Sequence, residues 1–331
     1  MSDFLQKFFN YTNLVTHLDM ADEANRLLRG AADVEIPGVK ENLEEINDIK
    51  ITTIDIINSK GQEIMNKACG TYITLEIPGI GLDKQLIDNA SFALACKLRT
   101  LLPKNKSYST LVIGLGNNAA TPDSLGPHVI EATMPTRHIF QYASEAEKTL
   151  PGIRSLACLA PGVLGITGIE TAEIIKGVLG HVKPDVIIAV DSLASASITR
   201  VGTSIQLSNT GIDPGSGVNN KRMPLNQETL HIPVIAIGVP TVVNTMVIIH
   251  EALINITKLW QRHGFNNLPQ IDRQTIEILS KKLLSSFEGN LIVTPKEIDQ
   301  LIKDVSKIIA AAIAQAVHQE VNQQNYHLYL N

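Results

Sequence analysis

The chain has 331 residues, 44% hydrophobic and 18% charged, which supplies a large core and excludes a disordered polymer. Its net charge of -5 and pI near 6.0, with no Lys/Arg run, exclude nucleic acid as the main partner. The amino terminus has no basic region before an apolar core, and no apolar run reaches the length of a membrane span. A cytoplasmic protein with no membrane partner is expected.

Residues 1–45 mix apolar and acidic side chains, including the stretch His17-Leu18-Asp19-Met20-Ala21-Asp22-Glu23. Residues 49–58 and 71–77 are rich in β-branched residues and predict strands of a small β-layer around 47–80, with Ser59-Lys60-Gly61-Gln62 as a break. Residues 83–101 carry Ile87, Ala90, Leu94 and Leu98 at helical spacing. From 111 onward the pattern alternates. Strands over 112–115, 156–159, 186–190 and 232–239 are interleaved with helices over 127–134, 167–175 and 242–260. Such alternation predicts βαβ units, hence an α/β fold with a mostly parallel sheet flanked by helices. Thr294-Pro295-Lys296-Glu297 has capping-box spacing with Pro at the first helical position. Ile298, Ile302, Val305, Ile309, Ala312 and Ile313 then form the apolar stripe of a core-packing helix.

The chain is organised around residues 111–127. Leu111, Val112 and Ile113 read as a buried strand that breaks at Gly114-Leu115-Gly116-Asn117 and passes through Thr121-Pro122-Asp123 to Gly126-Pro127. Asp123 falls just past the carboxyl end of that strand, where open α/β sheets place ligand sites. Asp191 directly follows the strand 186–190, and a third loop spans 238–244. Parallel strands bring these ends to one edge, so Asp123 and Asp191 face each other. Two close carboxylates resist joint ionisation and offer a base and an acid together, a hydrolase arrangement. The same pair is also suited to a divalent cation, or each Asp caps the helix after it. Gly114, Gly116 and Asn117, with Gly215 and Gly217 of the 211–222 loop, read as residues that shape the site or approach substrate closely. Neither stretch is a P-loop or a full dinucleotide fingerprint, and no Gly-x-Ser-x-Gly or His-Glu-x-x-His occurs. Cys69, Cys96 and Cys158 match no metal spacing and read as buried thiols of a reducing compartment.

The motifs GLGN with TPDSLGP (114–127), PTRHIF (135–140), PGVLGITGIET (161–171), VDSLA (190–194), GIDPGSGVNNKR (211–222), IPVIAIGVPTVV (232–243), NLIVTPKEID (290–299) and HQEVNQQNY (318–326) occur in one order. In them the chain resembles the germination protease family of spore-forming bacteria, endopeptidases that degrade small acid-soluble spore proteins. The resemblance implies a fold similar to hydrogenase maturation peptidases and an atypical aspartic peptidase with Asp123 and Asp191 catalytic, without cofactor or metal. It implies a zymogen that removes residues 1–19 by cutting between Asp19 and Met20, leaving 20–331 as one peptidase domain. It further implies a homotetramer in the cytoplasm of the forespore and spore core. A metal-dependent peptidase of the same fold and a non-catalytic binder of spore proteins are the alternatives. The chain departs from the family's usual residues at Asn244, Ala196 and Thr199, where Asp, Arg and Glu are the rule.

Overall fold

Apolar strands without a polar face need cover on both sides, and a sheet with helices on both faces provides it. The computed structural model describes residues 19–30, 33–77, 83–105, 107–142, 152–213, 222–263, 282 and 291–331. Its strands are β1 (Val39–Ile46), β2 (Ile49–Ile56), β3 (Gly70–Glu76), β4 (Thr110–Gly114), β5 (Leu156–Leu159), β6 (Val186–Ser195), β7 (Ser204–Ser208), β8 (Val234–Asn244) and β9 (Ile292–Val293). The helices that matter here are α1 (Ala21–Arg29), α2 (Ser59–Met65), α3 (Lys84–Leu101), α4 (Leu125–Ala132), α5 (Thr171–Val182), α6 (Thr245–Arg262) and α7 (Ile298–Val317).

The strands form one sheet in the order β1-β2-β3-β7-β8-β6-β4-β5, with β9 on the end of β8. β8, β6, β4 and β5 run parallel to one another. β1, β2, β3 and β7 continue from β8 by antiparallel pairing. The sheet is therefore mixed, and the expected small β-layer is its antiparallel half. The hairpin joining Ile46 to Ile49 and the β3–β7 pairing explain this. Short connections permit antiparallel neighbours, whereas parallel ones need a crossover.

The period-2 alternation of β4 and β6 sorts the core. Leu111, Ile113, Ile187 and Ala189 pack with Ala172 and Ile175 of α5 on one face. Val112, Ile188 and Val190 pack on the other face with Leu94 of α3, Val129 of α4, and Ile302 and Ile309 of α7. From Ile308 to Val317 every residue of α7 is buried, so that half is a fully enclosed core helix and not merely striped. A third cluster joins Ala21 and Ala24 of α1 to Ile54, Ile56, Met65 and Tyr72. Among the described residues no helix is long and apolar enough to cross a membrane.

Several expectations are corrected. Ser59-Lys60-Gly61-Gln62 opens α2 instead of breaking the chain, because the Asn58 side chain accepts from the Gly61 N–H at 3.0 Å and caps the helix. Gly61 serves close packing: a Cβ there would sit 2.4 Å from the Gly38 carbonyl oxygen. Thr294 caps nothing; its hydroxyl donates to the Thr241 carbonyl at 2.8 Å, and α7 starts at Ile298. β8 runs on through Asn244, held by β6 and β9, so the helix expected from 242 begins at Thr245. Cys69 is exposed and Cys96 and Cys158 are only partly buried, all three free thiols.

Candidate active site

Two elements deliver the aspartates. β6 does not end at Val190. It continues to Ser195, paired with β8 through a register shift between Leu193 and Ala194, and Asp191 lies inside it opposite Gly238. No helix follows directly for Asp191 to cap. A Cβ on Gly238 would meet the Leu193 side chain at 2.4 Å, so glycine there makes room for Leu193. Asp191 is 7% exposed, and its Oδ1 accepts from the Ser192 N–H at 2.9 Å.

Asp123 arrives by a loop folded back on β4. The Leu115 N–H donates to the Val190 carbonyl at 2.8 Å, which carries the β4–β6 pairing to the residue before Asp191. The chain then turns at Gly116, whose φ of +111° disfavours any side chain. A Cβ there would lie 2.0 Å from the Asp123 carbonyl oxygen. At Gly114 it would lie 2.2 Å from the Gly126 carbonyl, so α4 begins against the bare backbone of the strand end. The Asn117 N–H donates to both the Oδ2 of Asp123 at 2.9 Å and its carbonyl at 3.0 Å. The Asn117 side chain accepts from Ala119 N–H at 2.9 Å and fixes the turn. Asp123 closes a 3₁₀ turn over Thr121–Asp123 and does not cap α4, whose N-cap Ser124 makes no side-chain cap bond.

The two carboxyls act on each other. Burial pushes Asp191 up to about 8, helped by the Asp123 charge and then by that of Asp19, with the Ser192 amide opposing. Burial also raises Asp123, against the Asn117 amide. The expected pair is thus brought together with Gly114, Gly116 and Asn117 around it. Gly215 and Gly217 lie outside the described residues. Among the described residues, no three His, Cys, Asp or Glu side chains gather into a metal-holding group.

The start of the described chain is docked beside this pair. The Asp19 carboxylate accepts from the Ala194 N–H of β6 at 2.9 Å, three residues beyond Asp191. The Asp19 carbonyl accepts from Lys67 Nζ at 2.9 Å and from Gln206 Nε2 at 3.3 Å. Gln206 Oε1 in turn accepts from the Ala21 N–H at 2.6 Å. Met20 and Ala21 are fully buried. Asp22 lies 2.6 Å from Arg200 in a buried ion pair that lacks hydrogen-bond alignment. Glu23 accepts from Ser195 Oγ at 2.8 Å and from the Ala196 N–H at 2.9 Å, and burial raises its pKa. Sequence reasoning missed Lys67, Gln206 and Arg200. The one signal was Ser204, Gln206 and Ser208, a polar row of β7 that reads as a solvent face and is buried.

The germination protease family model matches residues 15–267 and 266–330. A germination protease of Clostridium tetani (strain Massachusetts / E88) is 44% identical over 322 residues, covering 95% of this chain and 98% of that protein. A germination protease of Bacillus subtilis (strain 168) is 38% identical over 331 residues, covering 88% of this chain and 89% of that one. Among solved structures, the nickel–iron hydrogenase maturation protease HycI from Thermococcus kodakarensis KOD1 is 13% identical. It covers 66% of this chain and 98% of that chain at a TM-score of 0.32. With one family model spanning almost the whole described sheet and relatives aligned nearly end to end, this chain belongs to the germination protease family, a family of peptidases.

Proposed function

We propose that the chain is an aspartate-dependent endopeptidase that starts the degradation of small acid-soluble spore proteins during germination and is made as a self-processing zymogen. The observation that carries this reading is the Asp123–Asp191 pair, with Asp191 pushed up to about 8 and Asp19 close enough to contribute to the rise. At neutral pH the pair holds one proton. Asp191, the more buried partner, keeps it; Asp123, partly buried and held by the Asn117 amide, is the ionised one. Asp123 takes a proton from the attacking water, and Asp191 delivers its proton to the departing amine. Oxygens already engaged by amides, Oδ2 of Asp123 and Oδ1 of Asp191, leave the opposite oxygens for the proton transfers.

Asp19-Met20-Ala21-Asp22-Glu23 has the acid–apolar–Ala order implied for the substrates, so the chain presents one such sequence to its own site. Residues 1–19 are the removable segment in this reading, and the forespore and spore core are where a homotetramer would act. The test uses chain begun at Met20, incubated with a purified small acid-soluble spore protein, with fragments read by mass spectrometry. One cut after Glu in an acid–apolar–Ala sequence, lost in Asp123→Asn, is expected. A variant that cuts at the unmodified rate sinks the aspartate assignment.

A further inference from the structure

A hydrolase that cuts an amide needs a base, an acid and something to receive the charge that builds on the carbonyl oxygen. The aspartates supply the first two. The third role has a candidate in groups that the sequence motifs do not contain. The Asp19 carbonyl oxygen, which belongs to the Asp19–Met20 peptide, receives two N–H donors, Lys67 Nζ at 2.9 Å and Gln206 Nε2 at 3.3 Å. Gln206 also receives the Ala21 N–H at 2.6 Å, so one side chain grips both sides of Met20 and sets the plane of that peptide. The Asp19 side chain is fixed to Ala194 at 2.9 Å, on the strand that carries Asp191. The donors thus hold the carbonyl of the residue whose carboxylate is bound three positions beyond Asp191 and whose charge acts on it.

We infer that Lys67 and Gln206 are the oxyanion-binding pair for the peptide bond that this chain cuts in its own amino-terminal segment. The inference rests on the reading above that Asp19–Met20 is the self-cleaved bond. A neutral carbonyl at a helix start is satisfied by one neutral donor, and the next carbonyl, that of Met20, needs only the Ala24 N–H at 3.2 Å. An amine is a costly choice for such a task. Burial lowers the pKa of Lys67, against the charges of Asp19, Glu23, Asp213 and Asp22. The choice makes sense where the oxygen becomes negative, since a donor that binds the oxyanion more strongly than the carbonyl lowers the barrier.

The step balances as follows. Water adds to the Asp19 carbonyl carbon while Asp123 takes one of its protons. The carbonyl π pair moves onto the oxygen between Lys67 and Gln206. The pair then returns, the carbon–nitrogen bond breaks, and the Met20 nitrogen takes the proton of Asp191. Peptide plus water gives the Asp19 carboxylic acid and the Met20 amine, and no other reactant is consumed.

The test follows conversion of the full chain to the form beginning at Met20 by intact mass, across pH 5–8. Wild type, Lys67→Met, Gln206→Leu and Asp191→Asn are compared, with hydrogen exchange of residues 20–25 measured on the uncut forms. The expected result is that Lys67→Met is slower by about 10²–10³-fold and Gln206→Leu by a comparable factor, with the Lys67→Met amides still protected. Lys67→Met that cuts at the wild-type rate overturns the inference. Slow cutting together with unprotected amides at 20–25 overturns it too, because Lys67 is then only a clamp for the segment. A wild type that stays whole at every pH, or Asp191→Asn that cuts normally, overturns the underlying reading of the site instead.

Discussion

Replacing Asp191 with Asn probes the pair through stability, independently of any substrate. Asn keeps an oxygen for the Ser192 amide and has the shape of the protonated carboxyl. Asp191 is 7% exposed, and its pKa rises from an ordinary 3.8 to about 8. At about 1.36 kcal/mol per pKa unit this rise corresponds to roughly 6 kcal/mol against the ionised form. Its sign is set by proton binding. The folded chain holds a proton that the unfolded chain releases above about pH 4, so this contribution is complete below that pH and is lost as pH rises through about 8. At pH 7 roughly 4 kcal/mol of the loss has been incurred. Asn carries no ionisable proton and escapes it. The variant should therefore match wild type near pH 4 and exceed it by up to roughly 4 kcal/mol at pH 7, a gain of the kind seen when a strained functional group is removed. The assay is urea unfolding of wild type and variant, both begun at Met20 so that self-cleavage does not intervene, from pH 4 to 8.5. A difference that does not grow with pH refutes the claim that burial holds Asp191 protonated.

Cleavage of a spore protein should fall as pH rises through about 8, where Asp191 loses the proton it must donate, and a flat kcat/KM profile to pH 9.5 would exclude this role. Gly116→Ala forces a side chain into a φ of +111° and into the Asp123 carbonyl, so it should cost about 1–3 kcal/mol in urea unfolding and at least about 10²-fold in cleavage rate. Arg200→Met strips the charge partner from buried Asp22 and Glu23 and should destabilise the chain by about 3–5 kcal/mol, visible as lost hydrogen-exchange protection over 20–25. A strong chelator should leave the cleavage rate unchanged, and inhibition reversed by added cation would favour the metal-dependent alternative.

What was legible followed burial. Leu111–Ile113 and residues 186–190 declare themselves as strands because no polar face interrupts them, and the strand ends then bring Asp123 and Asp191 together. Elements whose residues serve a neighbour were harder to read. Gly61 resembles a break until the Gly38 carbonyl beside it is seen. Thr294 has the spacing of a cap, but its hydroxyl is taken by Thr241. Asp191 to Ala194 read as loop because Asp191 and Ser192 interrupt the apolar run and hide strand pairing with β8. Lys67 and Gln206 lie between 15 and 124 positions from the aspartates in the chain, and neither sits in a motif. Only the long-range folding of 19–25 across β7 gives them a common target.

That folding across β7 also determines which amino-terminal residues the fold requires. Ser204, Gln206 and Ser208 form a buried polar row, and Arg200 is buried beside it. Asp22 and Glu23 neutralise Arg200, and Ala21 engages Gln206. Trimming up to Met20 removes none of these partners, whereas trimming through α1 uncovers all of them at once and strips Ala21 and Ala24 from the third core cluster. The fold thus sets a limit to trimming: among the described residues full side-chain burial begins at Met20, and a chain shortened beyond it loses buried partners.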